Sequence, residues 1–290
     1  MKKRKLLCLV LIAGCLAVFF GYRLVDRLGT DTKAPEITIS PETPQVSVRD
    51  SRELLLQGVT AEDRTDGDVT ASLVVESVKL TDSDGTVNVT YAAFDAAGNV
   101  AKAERQARYT DYESPKFSLS EPLTFAQNSG FNVFDIVTAE DMLDGDITHR
   151  IRVTSLDESS ITALGTHQIE FRVSNSMGET VKLVLPLEVY LAGSYQATVE
   201  LTDYLVYLPV GSAFNASSYL ESYTRAGDVV SLSAGMPSGY TLRTDGTVDT
   251  GTPGVYSVDY RVTYTKEYAA DPSLNQSYTG YTRLIVVVEG

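Results

Sequence analysis

The sequence predicts an all-β body of three tandem antiparallel β-sandwiches behind one N-terminal transmembrane helix, and three observations carry that expectation. A twelve-residue block recurs at a fixed offset, apolar and polar residues alternate along the regular stretches, and four cationic residues open the chain ahead of an apolar run. Length and composition permit it, since 290 residues exceed one ordinary domain and a 43% apolar fraction can fill several cores. With no Trp, two His, and two Cys that both precede residue 16, neither a disulfide framework nor a Cys/His zinc site is available. Residues 1–33 hold seven Lys/Arg against two Asp/Glu, whereas residues 34–290 hold 17 against 36. So acidic a body disfavours nucleic acid as a partner.

The first element is the membrane segment, assigned to residues 1–28. Lys2, Lys3, Arg4 and Lys5 precede the uncharged run Leu6 to Tyr22, which Arg23 ends. Seventeen residues at ~1.5 Å each span ~26 Å, the short end of what crosses a bilayer. The cationic flank predicts a single-pass anchor in the cell membrane with a cytoplasmic N-terminus and an extracellular body. Ile12-Ala13-Gly14-Cys15 also resembles the lipobox of bacterial lipoproteins, in which cleavage before the cysteine leaves Cys15 acylated. Against that alternative, Leu16-Ala17-Val18-Phe19-Phe20 prolongs the apolar run where a lipoprotein turns polar. Ordinary signal cleavage is a third option, and as plain residues Cys8 and Cys15 are small apolar positions in a helix.

The body repeats. Val59-Thr60-Ala61-Glu62-Asp63-Arg64-Thr65-Asp66-Gly67-Asp68-Val69-Thr70 returns 78 residues later as Val137-Thr138-Ala139-Glu140-Asp141-Met142-Leu143-Asp144-Gly145-Asp146-Ile147-Thr148. A second block occurs three times: Gly85 with Val89, Tyr91 and Ala93, Gly165 with Ile169, Phe171 and Val173, and Gly254 with Val258, Tyr260 and Val262. In each copy the apolar residues recur at every second position, the period of a half-buried antiparallel strand. Val181, Leu183, Leu185, Leu187, Val189 and Leu191 keep one parity, and Leu284 to Val288 reads as a last buried strand rather than a second anchor. Asp82-Ser83-Asp84-Gly85, Asp95-Ala96-Ala97-Gly98-Asn99 and Thr244-Asp245-Gly246 supply the turns. Glu113-Ser114-Pro115 and Ala192-Gly193-Ser194 separate the units, which gives domains at 34–112, 113–191 and 192–290.

The Asp-Gly-Asp-[Val/Ile]-Thr turn, Phe94-Asp95-Ala96-Ala97-Gly98-Asn99 and Pro253-Gly254-Val255-Tyr256-Ser257-Val258-Asp259-Tyr260 resemble the bacterial immunoglobulin-like repeat of Gram-positive surface proteins and of a pesticidal crystal protein. The resemblance covers about residues 34–191 closely and 192–290 loosely. It implies a cadherin-like string of Ig-like sandwiches in an extracellular bacterial protein, used as spacer, stalk or adhesion module, with no activity fixed by the fold. The third unit departs from the pattern, since Ala226-Gly227-Asp228 stands where Asp-Gly-Asp is expected.

Two groups of residues are candidate sites. Glu62, Asp63, Asp66 and Asp68, with their repeats Glu140, Asp141, Asp144 and Asp146, cluster carboxylates around a glycine turn, as calcium coordination by six to eight oxygens requires, and Asp95 and Asn175 are the next ligands to test. The same residues also read as turn caps that accept backbone N–H bonds. Twelve of seventeen tyrosines lie in residues 192–290, and the segment Lys266 to Gly280 replaces the five-residue connections Asp95–Asn99 and Asn175–Glu179. Tyr268, Tyr278 and Tyr281 on that enlarged loop are the candidate surface for a protein or carbohydrate ligand. His149 and His167 have no neighbouring nucleophile in the pattern, so no catalytic residue and no cofactor other than calcium is expected. The function expected is a non-enzymatic, membrane-anchored cell-surface protein. A ligand-binding surface receptor and an accessory subunit of an envelope enzyme are the alternatives.

Overall fold

The computed structural model of the chain describes residues 12–21, 31–155 and 162–290. The apolar run Leu6 to Tyr22 lies partly outside these residues. Within them 12–21 are helical with Cys15 exposed, and among the described residues no helix is long and apolar enough to cross a membrane. Cys8 lies outside them. The remainder is predominantly β-structure and divides into two compact units, Met1–Tyr112 and Glu113–Gly290.

The strands fall into three successive sets of seven. The first comprises β1 (Glu36–Ile39), β2 (Gln45–Val46), β3 (Val59–Asp63), β4 (Gly67–Asp68), β5 (Val74–Leu80), β6 (Thr86–Phe94) and β7 (Val100–Tyr109). The second comprises β8 (Lys116–Leu119), β9 (Thr124–Ala126), β10 (Val137–Asp141), β11 (Gly145–Asp146), β12 (Arg152–Ser155), β13 (Gly165–Ser174) and β14 (Thr180–Tyr190). The third comprises β15 (Ala197–Leu201), β16 (Leu205–Pro209), β17 (Leu220–Arg225), β18 (Asp228–Ser231), β19 (Tyr240–Asp245), β20 (Gly254–Lys266) and β21 (Gln276–Glu289).

One connection scheme serves all three sets. The opening segment breaks in two: its first half pairs antiparallel with the third strand (β1 with β3, β8 with β10, β15 with β17), and its second half runs parallel to the last strand (β2 with β7, β9 with β14, β16 with β21). A segment that changes sheets ties the two faces of a sandwich together along one edge. In sets one and two this yields a three-stranded and a four-stranded sheet, β1-β3-β4 facing β2-β7-β6-β5 and then β11-β10-β8 facing β12-β13-β14-β9. In set three β15 also pairs with β21, so all seven strands join one sheet.

Period-two alternation becomes burial. Val87, Val89, Tyr91 and Ala93 of β6 are fully enclosed while Asn88 and Thr90 between them are only partly buried, and β13 repeats the alternation with Ile169, Phe171 and Val173. Pro186 sits opposite Gln168 on β14 between buried Leu185 and Leu187, on the partly exposed face. Within Glu113–Gly290 one buried cluster runs from Phe117 to Val288 and draws on both strand sets. The Tyr207 hydroxyl accepts from the Phe117 amide at 3.1 Å, and burial pushes its pKa up to about 12. Arg283, almost fully buried, joins Asp259 of β20 at 2.6 Å and Glu188 of β14 at 3.5 Å.

The terminal hairpin differs from its sequence expectation. Both ends of segment 266–280 are strand, because β20 and β21 remain paired out to Lys266 opposite Gln276 and leave residues 267–275 as the connection. Cross-strand hydroxyl pairs carry that extension, Thr263 with Thr279 at 2.9 Å and Thr265 with Ser277 at 3.1 Å.

Candidate functional site

The acidic turns fold into near copies. Asp63 Oδ1 accepts the amides of Thr65 at 2.7 Å and Asp66 at 3.1 Å, and Asp141 Oδ1 accepts those of Leu143 and Asp144, both at 2.9 Å. Asp68 and Asp146 each accept the amide two residues on, from Thr70 and Thr148, at 2.9 Å. The threonine hydroxyls and then these amides hold both carboxyls below the ordinary carboxylate range. Gly67 and Gly145 carry φ of +74° and +67°, which any side chain would strain. Glu62 and Glu140 point to the exposed face of their strands, away from Asp63 and Asp141.

The third acid of each block reaches the neighbouring hairpin. Asp66 Oδ2 accepts the Ala96 amide at 2.9 Å; Asp144 Oδ2 accepts the Ser176 amide at 2.7 Å and the Arg150 guanidinium at 2.6 Å. Burial pushes Asp144 up, but the bonds from Ser176 and Arg150 outweigh it and hold the carboxyl below its ordinary value. The expected ligand sets are therefore spread over two faces and two hairpins. What the first set does bring together is Asp63, Asp95 and Asp31, whose carboxylate oxygens lie within 4.8 Å of one another. Asp31 was not legible as a member, because it stands in the segment before β1, 32 residues ahead of Asp63.

A second site lies in Glu113–Gly290, where β14 passes into β15. An open cleft of about 720 Å³ is bounded there by Tyr190, Tyr195 and Tyr281 together with Glu200, Tyr204 and Arg225. Tyr195 and Tyr281 are stacked, with centroids 4.8 Å apart and planes at 18°, and Tyr190 meets both edge-on at 5.0 and 6.1 Å. Tyr281 is fixed from behind by its hydroxyl, which donates to Asp259 at 2.9 Å, and burial drives its pKa far above the ordinary tyrosine value. Burial first, then the hydrogen bond to Glu200, raises Tyr204 in the same way. The cleft thus offers neutral phenols, a carboxylate and a guanidinium around a stacked aromatic pair.

Of the three tyrosines singled out in the sequence, Tyr281 reaches this cleft. Tyr278 instead lies beneath the Arg225 guanidinium, 3.3 Å from its ring centroid, and Tyr268 sits under Lys266 at 5.2 Å on the hairpin tip. Tyr190 and Tyr195 escaped the reading because they flank the linker Ala192-Gly193-Ser194, a place where composition signals a boundary rather than a surface.

No family model matches the chain. An uncharacterized 81.3 kDa protein of Acholeplasma phage L2 is 28% identical over 88 residues, which are 30% of this chain and 12% of that protein's length. Among solved structures, the CBM51-2 and INT domains of Clostridium perfringens ZmpB, solved with GlcNAc, match 69% of this chain and 40% of theirs at 14% identity and TM-score 0.21. Extracellular cadherin domains 1–5 of protocadherin gamma B2 match 90% of this chain and 61% of theirs at 10% identity and TM-score 0.19. This chain therefore spans less than two thirds of each of these proteins, and its fold rests on its own strand order.

Proposed function

We propose that the chain is a non-enzymatic interaction module of a bacterial surface protein: three tandem Ig-like domains held outside the cell by the N-terminal segment, binding a carbohydrate in the cleft that strands of the second and third domains line together. The observation that carries the reading is the tyrosine-walled cleft. Tyr195, half-buried and backed by the buried Tyr281, offers a flat apolar ring to the C–H side of a sugar, and Glu200 and Arg225 on the cleft wall supply the acceptor and donors that such a polyol needs. A protein ligand and a stalk without any ligand are the competing readings. The basic residues before the apolar run, the lipobox-like Cys15 and the Ig-like sequence resemblance support the tether and the bacterial setting.

Tyr195 is partly exposed, so Tyr195→Ala removes one wall of the cleft with little damage to the core. The full chain is screened on an array of bacterial envelope glycans, and the bound glycan is titrated against wild type and variant. Binding that weakens tenfold or more in Tyr195→Ala supports the reading; an array without binding, or binding unchanged by the substitution, overturns it. Mass spectrometry of the membrane-extracted N-terminus tests the tether, since an intact Met1 and an acylated Cys15 are opposite results and a soluble product starting elsewhere removes both.

A further inference from the structure

The tyrosine-walled cleft carries a charge pattern that narrows the sugar it can take. Two carboxylates belong to its lining, Glu121 from the β8–β9 connection of the second strand set and Glu200 from β15 of the third. They converge on Tyr204, whose buried hydroxyl donates to Glu200 Oε2 and accepts from the Leu201 amide at 3.4 Å. Burial first, then the bond to Glu200, and last the charges of Glu200 and Glu121 hold this phenol protonated far above its ordinary range. Acids from two different strand sets therefore act on one side of the cleft.

The neighbouring cations are committed elsewhere. Arg261 pairs with Asp245, and Arg283 with Asp259 and Glu188. Arg225, the single basic residue of the lining, holds its guanidinium 3.3 Å from the centroid of Tyr278, a ring outside the lining. The β15–β17 register sets Ser222 opposite Glu200, so Arg225 stands three positions further along β17, ~10 Å from Ser222. Among the described residues neither Glu121 nor Glu200 joins an ion pair. The electron-rich faces of the tyrosine rings add to the same polarity, since an aromatic face attracts a cation.

We propose, building on the carbohydrate reading of this cleft, that it selects a hexosamine whose amine is free and protonated, with the ammonium between Glu121 and Glu200 and the C–H face of the ring on Tyr195. An ammonium brings three N–H donors and no acceptor. Tyr204 engages Glu200 through Oε2, which leaves Oε1 and the Glu121 carboxylate to receive them. Such charge-assisted bonds are stronger than those a neutral sugar hydroxyl can make. An N-acetyl group instead sets one donor and a carbonyl oxygen against two carboxylates that have nothing to donate, so the cleft rejects it by leaving acceptors facing acceptors. A lysine side chain carries the same ammonium but lacks the flat ring that Tyr195 would support.

The test is isothermal titration of the full chain with two oligosaccharides of one backbone, tetraglucosamine and tetra-N-acetylglucosamine, at about pH 5.5, above the ordinary glutamate value and below that of an amine. Wild type is expected to bind the free amine roughly tenfold more tightly or better. Glu121→Gln and Glu200→Gln are each expected to cut that preference roughly threefold or more, with the affinity for the N-acetylated sugar within about twofold of wild type. Glutamine at 200 still offers Tyr204 an acceptor; if that variant fails to fold, Glu121→Gln on the exposed connection carries the test. Glu42→Gln, at an exposed acid of the first strand set, is expected to match wild type and so reports any bulk attraction of a polycation to an acidic chain. Equal or tighter binding of the N-acetylated sugar, a preference that survives in the cleft variants or falls as far in Glu42→Gln, or equal binding of a tetralysine peptide overturns the proposal. A bound glycan without an amine overturns it too and leaves the carbohydrate reading standing, whereas an array without binding removes both.

Discussion

The three strand sets place one aromatic residue at the same core position, and its surroundings make the cost of a single hydroxyl different in each. Tyr91 donates to the Leu55 carbonyl at 2.7 Å and accepts from Arg105 through Nη2 at 2.9 Å and Nε at 3.2 Å. Tyr91→Phe removes one neutral and two charged hydrogen bonds, although Arg105 keeps its own 2.7 Å bond to Leu55; the loss comes to about 2 kcal/mol. Tyr260 makes a single bond, to the Ala216 carbonyl at 2.8 Å, so Tyr260→Phe loses about 1 kcal/mol. At Phe171 the guanidinium is replaced: Ile169 faces Leu185 on β14 where Val89 faces Arg105 on β7. Phe171→Tyr therefore buries a hydroxyl among apolar side chains and costs about 1–3 kcal/mol. A single melt would blend the sets, so the assay is hydrogen exchange read in peptides from β6, β13 and β20. At about 1.4 kcal/mol per tenfold, opening should rise roughly thirtyfold in β6 for Tyr91→Phe and roughly fivefold in β20 for Tyr260→Phe. Equal effects at the two tyrosines, or a neutral Phe171→Tyr, would refute the claim that the Arg105 network and the Leu185 wall set these energies.

Two further substitutions probe charges. Asp144 has a depressed pKa in the folded state, so its contribution is complete above the ordinary carboxylate value near ~4 and is lost as pH falls below it. Asp144→Asn is expected to lower neutral-pH stability by about 1–2 kcal/mol and to flatten the acid limb, measured by urea unfolding between pH 3 and 6; a curve parallel to wild type would contradict this. Arg283→Met leaves the partly exposed Asp259 and Glu188 without their buried cation, an expected loss of about 2–3 kcal/mol by urea unfolding, the low side of a buried pair because both carboxylates keep some solvent, and part of it Asp259→Asn should restore in the double variant. A loss below about 1 kcal/mol would mean that the pair is solvated.

What the sequence disclosed, and what it withheld, follows from the range over which each interaction acts. The Asp-Gly-Asp turns were legible because a side chain that accepts an amide two or three residues ahead writes its whole logic into a short string, and Asp68 with Thr70 and Asp146 with Thr148 do so twice. Strand parity was legible for the same reason: Val89, Tyr91 and Ala93 need only their neighbours' polarity to declare a face. The length of β20 and β21 was not, since their outer ends alternate Thr with Thr and Ser, and hydroxyl ladders look like loop composition until the partner strand is known. The cleft tyrosines were hidden differently. Tyr190 and Tyr195 belong to a chain passage whose glycine and serine mark a boundary, and only the parallel pairing of β15 with β21 brings Tyr281 against them.

The acidic blocks show where local reading reaches its limit. Asp63 and Asp141 sit in nearly identical strings and cap their turns through the same Oδ1 geometry, yet their remaining oxygens meet different partners. The difference is made by residue 95 against residue 175, more than thirty positions downstream, and by whether an acid from the entering segment arrives at all. A motif can therefore fix the shape of a turn while leaving its electrostatics to residues that lie outside it. One carboxylate in place of one carboxamide, with Asp31 arriving beside it, converts a closed hydrogen-bonded pair into a cluster of three acidic groups, and nothing within either twelve-residue block distinguishes the two outcomes.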